Sequence, residues 1–175
     1  MATRPGSDPP RRAPVHLASV SPVGTQAGAR GSTAAPIELR AIAFVEVSAA
    51  DPPAAAGPVP SALRSGGGEL IQVLHRVVLA VFDSATACLE TCRRLPASVR
   101  AGLTCGDILF EQGLVYGVPV VEAARLKDAA SDGQVLCTRR LVRVADLPDG
   151  VFRETGELQV KGLADPIETF ELRRG

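Results

Sequence analysis

The stretch YGVPVVEAARL, Tyr116–Leu126, carries the clearest structural signal in the chain. Gly117 marks its start, and Pro119 suits the first turn of a helix, where a backbone N–H is not required. The apolar residues that follow predict a helix that runs to about Ala130. This helix is the reference point from which the other elements are placed.

Strand patterns lie on both sides of this helix, and two further helices are predicted. The helix over Ser84–Leu95 has Asp83 or Ser84 as its N-cap, and Arg139–Val144 is a short second one. Strands that alternate with helices and include a hairpin predict an α+β fold rather than a doubly wound parallel sheet. The predicted strands are Ile37–Val47, two runs within Glu69–Phe82 around His75-Arg76, Val99–Leu103, Ile108–Glu111, Gln134–Thr138, Val151–Glu154, Leu158–Lys161 and Ile167–Leu172.

Two segments lack periodicity. Residues 1–36 are rich in Ala, Pro, Gly, Ser and Arg, which predicts a disordered tail ahead of one domain at 37–175. Ala49–Gly68 contains four prolines, and their spacing excludes a long helix there.

Composition narrows the function classes. Hydrophobic residues make up 46% of the chain, enough for a core, while 19 Lys and Arg balance 19 Asp and Glu. A chain without net charge has no general attraction to nucleic acid or anionic lipid. The longest apolar run, Val77–Phe82, is far shorter than the ~20 residues that a bilayer requires. The sequence therefore predicts a soluble, cytoplasmic protein with neither a nucleic-acid nor a membrane partner.

The four cysteines do not form a C-x-x-C pair, and the two histidines lie elsewhere in the chain. Cys88 and Cys92 are four residues apart on one predicted helix face. Small buried apolar side chains in a reducing compartment explain all four better than a zinc site does.

Four motifs occur in a fixed order along the chain. They are VRAGLTCGDI at Val99–Ile108, YGVPVVEAARL at Tyr116–Leu126, ASDGQVL at Ala130–Leu136, and GELQVKGL at Gly156–Leu163 followed by Asp165-Pro166-Ile167. Together they resemble the V-R-I-G-I-H-T-G-E-V, Y-F-G-x-x-V-N-x-A-A-R-L, A-x-x-G-Q-I-L and L-K-G-L…E-P-V motifs of class III adenylate/guanylate cyclase catalytic domains. The resemblance covers Ile37 to Leu172.

This resemblance implies a ferredoxin-like α+β core with a largely antiparallel sheet and helices packed on it. It also implies a homodimer, or a heterodimer with another cyclase-like domain, with active sites at the interface. In the family, two Mg²⁺ or Mn²⁺ ions promote attack of the 3′-hydroxyl of ATP or GTP on the α-phosphate. The family has a long helix where Ala49–Gly68 lies, so the fold is expected to be shortened here. One face of the sheet would then need a partner or a second copy to cover it.

The metal positions depart from the family pattern. Glu46 stands where the family has its first metal-binding aspartate, and Ala49 replaces a glycine beside the phosphates. Glu46 is a doubtful metal ligand, because magnesium tolerates a displaced ligand poorly. Arg76 replaces the second aspartate, so the second metal ligand is lost. His75 and Val77 replace the glycines on either side of it.

The positions that contact the nucleotide in the family are mostly changed as well. Gln72 and Leu114 replace the two base-selecting residues, and Val121 replaces the asparagine that orients the ribose. Arg125 matches the transition-state arginine, and Lys161 matches the lysine that binds the terminal phosphates. Ordinary surface charge is the alternative explanation for both.

These departures leave several functions open. The first hypothesis is a degenerate, inactive cyclase-like domain that acts as a regulatory or interaction module and needs no cofactor, with Mg²⁺ or Mn²⁺ required only if it is active. The second is one subunit of a heterodimeric cyclase that donates Arg125 and Lys161. The third is a metal-free sensor of ATP or GTP in which Arg76, Arg125 and Lys161 supply the positive charge. A folded module unrelated to cyclases is the remaining alternative.

Overall fold

The computed structural model describes residues 37–160 and 163–175. The predicted disordered tail at 1–36 lies outside these residues. The eight described strands form one mixed, mostly antiparallel sheet, and four α-helices and two short 3₁₀ helices accompany it. The strands are β1 (Ile37–Val47), β2 (Gly68–Leu74), β3 (Val77–Phe82), β4 (Val99–Glu111), β5 (Leu114–Tyr116), β6 (Val135–Thr138), β7 (Phe152–Leu158) and β8 (Ile167–Leu172).

The sheet order is β2-β3-β1-β4-β6-β8-β7, and β5 pairs with β4. β1 is an interior strand and pairs antiparallel with both β3 and β4. β4 and β6 are parallel, and the helix predicted from the Tyr116–Leu126 stretch connects them. The α-helices are α1 (Pro58–Ser65), α2 (Ala85–Arg93), α3 (Val118–Ala129) and α4 (Arg139–Val144). The α+β prediction is therefore confirmed.

Side chains from alternate positions of β1 bury on opposite faces of the sheet. Ala41, Val45 and their neighbours pack beneath α1, α2 and α4 in the largest core cluster, which includes Leu63, Leu89 and Leu141. The intervening residues, among them Ile42, pack with α3 on the other face. The period of two along the strand explains why β1 is apolar throughout its central part.

The helix α1 corrects the expectation that the Pro-rich stretch leaves a face of the sheet uncovered. Pro58 and Pro60 lie in the first turn, where backbone N–H groups have no partner within the helix, so both are tolerated. Val59 and Leu63 are buried in the main core. The helix is short, as the prolines predicted, but it packs against the sheet. Because α1 packs on this face of the sheet, the face no longer gives a reason to expect a partner there.

Two pairs of predicted strands are each a single strand. The runs Val99–Leu103 and Ile108–Glu111 belong to continuous β4, because Gly106 and Asp107 pair with Arg40 and Leu39 of β1 instead of turning. β7 continues past its predicted end because its pairing with β8 resumes after a register shift between Glu154 and Gly156. β7 ends at Leu158, and Gln159 and Val160 belong to no strand. The strand predicted to start at Leu158 therefore does not form over these two residues.

Candidate functional site

The predicted metal-binding position lies where β1 ends, next to the turn between β2 and β3. Glu46 pairs with Val77 of β3 and Arg100 of β4, so it is flanked by strands on both sides. Its side chain is on the face covered by α3. This arrangement brings a cation from β4 and another from α3 within reach of one carboxylate.

Glu46 is bound by two cationic side chains. Arg100 Nη2 donates to Glu46 Oε2 at 2.8 Å, and Lys127 Nζ donates to the same oxygen at 2.9 Å. The Lys127 ammonium also lies 2.6 Å from Asp128 Oδ1 and 5.7 Å from the centre of the Phe44 ring. Only 11% of the Lys127 side chain and 21% of that of Glu46 are exposed. These contacts form a largely buried ion cluster in which Arg100 and Lys127 balance the negative charge of Glu46.

Arg76, in the position of the second metal ligand, is bound to the adjacent loop. Its guanidinium donates to the backbone carbonyls of Ser48 and Asp51, and its own carbonyl accepts from Val47 N–H at 2.9 Å. The Ser48 hydroxyl donates to Asp132 Oδ2 at 2.6 Å. Arg76 therefore closes the loop after β1 by means of two backbone acceptors.

The other predicted contact positions are on the surface. Gln72 is exposed on the edge strand β2, and Leu114 and Val121 are 49% and 46% exposed. Arg125 is 47% exposed, and its described ion pair is a 4.0 Å contact with Asp128. Val121 and Arg125 are one turn apart on α3, so they share a surface of the helix. Lys161 lies outside the described residues.

Sequence reasoning missed Arg100 and Lys127, which are the partners of Glu46. The antiparallel register of two neighbouring strands could have revealed Arg100, because it is directly opposite Glu46 across β1 and β4. Lys127 is buried, although lysine side chains are rarely buried in proteins. Nothing in the neighbouring sequence indicates that this lysine contacts Glu46.

All four cysteines are buried and free, as predicted. Burial raises the pKa of Cys137 to about 12, and a hydrogen bond with Cys92 together with burial raises that of Cys88 well above its ordinary value. Both thiols therefore stay neutral, which is the form that suits an apolar core. Within 37–160 and 163–175, no group of three or more His, Cys, Asp or Glu side chains has an arrangement suited to a metal ion. No helix in these ranges is both long and apolar enough to cross a membrane.

The ion cluster predicts how stability responds to acid. Burial alone would raise the pKa of Glu46, but the hydrogen bonds from Lys127 and Arg100 outweigh burial and lower it from 4.5. A carboxyl whose pKa is lower in the folded state stabilises the protein above its unfolded pKa, and this stabilisation is lost as the pH falls through the folded pKa. We expect Glu46→Gln to reduce stability at neutral pH and to make stability less dependent on pH below about 4.5.

Urea unfolding of both proteins from neutral pH down to about pH 3 measures this difference. Glu171, whose pKa is lowered chiefly by a hydrogen bond from Arg153, titrates in the same range in both proteins, so the difference isolates Glu46. Parallel pH profiles for the two proteins would contradict a stabilising role for the cluster.

Comparisons with known proteins bear on the fold. No family model matches the chain. The uncharacterized protein Rv2212 of Mycobacterium tuberculosis is 32% identical over 123 residues, which cover 65% of this chain and 32% of Rv2212. The uncharacterized protein Mb2235 of Mycobacterium bovis matches to the same extent. The chain thus spans about a third of the length of the curated relatives it matches.

Solved structures with a similar fold include several nucleotide cyclases. An adenylate/guanylate cyclase/hydrolase from Silicibacter pomeroyi superposes with a TM-score of 0.66 at 21% identity, covering 79% of this chain and 98% of that one. The adenylyl cyclase CyaB from P. aeruginosa gives 0.65 at 14% identity, covering 80% and 96%. A Trypanosoma brucei adenylate cyclase gives 0.67 at 16% identity, covering 77% and 87%. The chain therefore has the fold of the class III adenylate and guanylate cyclase catalytic domain.

Proposed function

We propose that this chain is a cyclase-like domain without cyclase activity, which acts as a regulatory or interaction module. The observation that carries the proposal is the cluster around Glu46. The one carboxylate at the expected metal positions is bound by Arg100 and Lys127, and the other expected position holds a cation, Arg76, which donates to the Ser48 carbonyl. This supports the proposal, because cations of the protein itself bind the carboxylate that would have to hold a metal ion.

The residues at this place do not fit a divalent metal. A magnesium site needs oxygen ligands in near-octahedral geometry, and it usually includes one or two carboxylates that are free to bind. The Oε2 atom of Glu46 already accepts two charge-assisted hydrogen bonds. At the second expected position Arg76 supplies a positive charge instead of a carboxylate, so it cannot be a metal ligand. We therefore assign no catalytic step to a metal ion here.

A second candidate is a subunit that donates Arg125 to an active partner. Arg125 favours this role because its side chain is 47% exposed and its described ion pair, at 4.0 Å, is long. Its guanidinium is thus available to a phosphate on a neighbouring chain. Lys161 would supply a second cation in this role. Val121 weakens the candidate, since valine cannot form the hydrogen bond of an asparagine.

Metal-free sensing of ATP or GTP has less support. It requires the guanidinium of Arg76 to face a triphosphate, whereas this group donates to the carbonyls of Ser48 and Asp51. A nucleotide would have to replace both hydrogen bonds before it gained any contact with Arg76.

Pairing with a second copy or with another cyclase-like domain is part of the proposal. Exposed apolar side chains at β5 and the adjoining part of α3 support it, because a monomer gains nothing from exposing them. They are Leu114, Tyr116, Val118 and Val121. Sedimentation equilibrium at micromolar concentration measures the mass, and a strictly monomeric chain that also fails to bind an active cyclase domain would contradict pairing.

The test is production of cyclic AMP and cyclic GMP by the purified chain with Mg²⁺ or Mn²⁺, alone and mixed with an active cyclase domain whose transition-state arginine is replaced. We expect no product in either case. Product from the chain alone would overturn the proposal, because Glu46 would have to leave its ion pairs and bind metal. Product from the mixture alone, lost again in Arg125→Ala, would establish the donor-subunit role instead.

A further inference from the structure

A second concave site lies away from the Glu46 cluster. It is a pocket of 480 Å³ between the start of α3, α4 and the loop that leads into β8. This volume lies in the range of small-molecule sites, and the pocket is open to solvent. Glu46, Arg76, Val121 and Arg125 are not among its lining residues, so the pocket does not include these predicted positions.

A connected polar network forms one wall of the pocket. Thr104 Oγ1 donates to Glu122 Oε2 at 3.1 Å and lies 3.1 Å from Thr138 Oγ1. Arg140 Nη2 donates to Thr104 Oγ1 at 3.0 Å and also binds Glu122. The threonines and Glu122 are buried, so the bonds hold Arg140 in a defined place. The wall is therefore built before any ligand arrives.

α4 contributes three arginines to this pocket, whose lining also includes three carboxylates, those of Glu122, Asp165 and Glu168. Arg139, Arg140 and Arg143 are neighbours on the helix surface at spacings of three and four residues. Arg139 is matched by Glu154 and Glu168, and Arg140 is matched by Glu122. Within the part of the chain that the structure describes, Arg143 forms no ion pair. A guanidinium that faces a pocket without a carboxylate partner is suited to an anionic ligand.

The opposite wall limits the charge and shape of the ligand. It contains Leu163, Pro166 and Ile167, which are apolar, and Asp165, which forms no ion pair with Arg143. Asp165 would repel a second negative charge on a ligand, while the apolar residues favour a hydrophobic body. The ligand that fits best therefore carries one negative charge and an apolar part.

We propose that this pocket binds a small, singly charged organic anion with an apolar body, held through Arg143 with support from Arg140. The inference goes beyond the proposed function and does not depend on it. It assigns the chain a ligand site of its own, separate from the surface that carries Arg125.

Benzoate is a suitable probe, since it has one carboxylate and an apolar ring. Titration of the ¹⁵N-labelled full chain at constant ionic strength should shift amide resonances of α4, the start of α3 and residues 163–168. Benzyl alcohol has the ring without the charge, and inorganic phosphate has charge without an apolar body. We expect both to bind at least several-fold more weakly than benzoate.

Arg143→Ala should weaken benzoate binding about tenfold, the loss expected for a charge-assisted hydrogen bond. Arg64→Ala is the matched control, because Arg64 is an exposed helical arginine on α1, and it should leave the affinity unchanged. The proposal fails if benzyl alcohol binds as well as benzoate, if Arg143→Ala has no effect, or if the shifts cluster around Arg125 and disappear in Arg125→Ala. These results are independent of cyclase activity.

Discussion

Replacing Gly102 with alanine is expected to lower the free energy of unfolding by about 3 kcal/mol or more. Gly102 lies on β4 directly beneath α3. A Cβ atom there would be 2.1 Å from the carbonyl oxygen of Ala123 and 2.3 Å from the backbone nitrogen of Lys127. Both contacts involve helix backbone, which cannot rotate away as a side chain can. The helix would have to move off the sheet.

The displacement has a second, local effect. Lys127 reaches Glu46 and the Phe44 ring only because α3 approaches β4 so closely. We therefore expect Gly102→Ala to separate Lys127 from Glu46 as well as to destabilise the core. Urea unfolding gives the stability, and the change in its pH dependence shows whether Glu46 has lost a partner.

Gly150→Ala is the matched control for this substitution. No heavy atom lies within 4 Å of a Cβ built at Gly150, which lies in the short helix Asp149–Val151. Alanine there should be neutral or slightly stabilising. Equal stabilities for Gly102→Ala and Gly150→Ala would show that α3 does not depend on the close approach.

Arg174→Ala is expected to cost about 3 kcal/mol, or roughly 10 °C in the midpoint of thermal unfolding. Its guanidinium donates to the carbonyl of Gly133 at 2.8 Å, to that of Val99 at 2.6 Å, and to that of Leu95. These acceptors follow α2, begin β4 and precede β6. One side chain near the end of the chain thus joins three loops, and its removal leaves three carbonyls without this donor.

Two further variants make this prediction specific. Arg173→Ala removes a neighbouring arginine whose side chain makes one exposed contact of 3.5 Å with the carbonyl of Gly150, so it should cost little. Arg174→Lys keeps the charge but lacks the planar fork that reaches several acceptors at once, so it should restore only part of the stability. If Arg174→Ala and Arg173→Ala unfolded at the same temperature, the three carbonyls would not depend on the guanidinium.

Much of the fold could be predicted because local patterns and tertiary contacts agree. β3 is an apolar strand, and β8 alternates between apolar and polar residues over most of its length. Ser84 is the N-cap of α2, and its hydroxyl accepts from Ala87 N–H at 3.2 Å. α3 begins after Gly117, and Pro119 lies in its first turn, as predicted. At these places propensity, capping and burial all favour the same structure.

The errors arose where distant pairing overrides local sequence. Gly106 and Asp107 have the composition of a turn, yet β1 pairs with them and keeps β4 extended. The short helix α1 was missed for a local reason, because Pro58 and Pro60 lie in its first turn, where proline is tolerated. The three-residue strand β5 is too short to show a period of its own.

The candidate site could be predicted only in part, for a related reason. Positions such as Glu46 and Arg76 follow from motifs in one stretch of chain, so the sequence reveals them. Their partners do not, since Lys127 is 81 residues away from Glu46 and the carbonyls bound by Arg76 belong to backbone. The pocket lined by Arg139, Arg140 and Arg143 could not be predicted, because its walls come from three separate segments of the chain.

The interior position of β1 in the sheet has a consequence for synthesis of the protein. This strand is made first among the described elements, but its second neighbour, β4, is complete only at Glu111. At ~5–20 residues per second, the ribosome needs on the order of ten seconds to add the intervening chain. During this interval an apolar strand has at least one unpaired edge, which is a template for aggregation. The nascent chain is therefore vulnerable until β4 has emerged, even after β3 has paired with the first edge, and a chaperone that binds apolar strands would be of use throughout this interval.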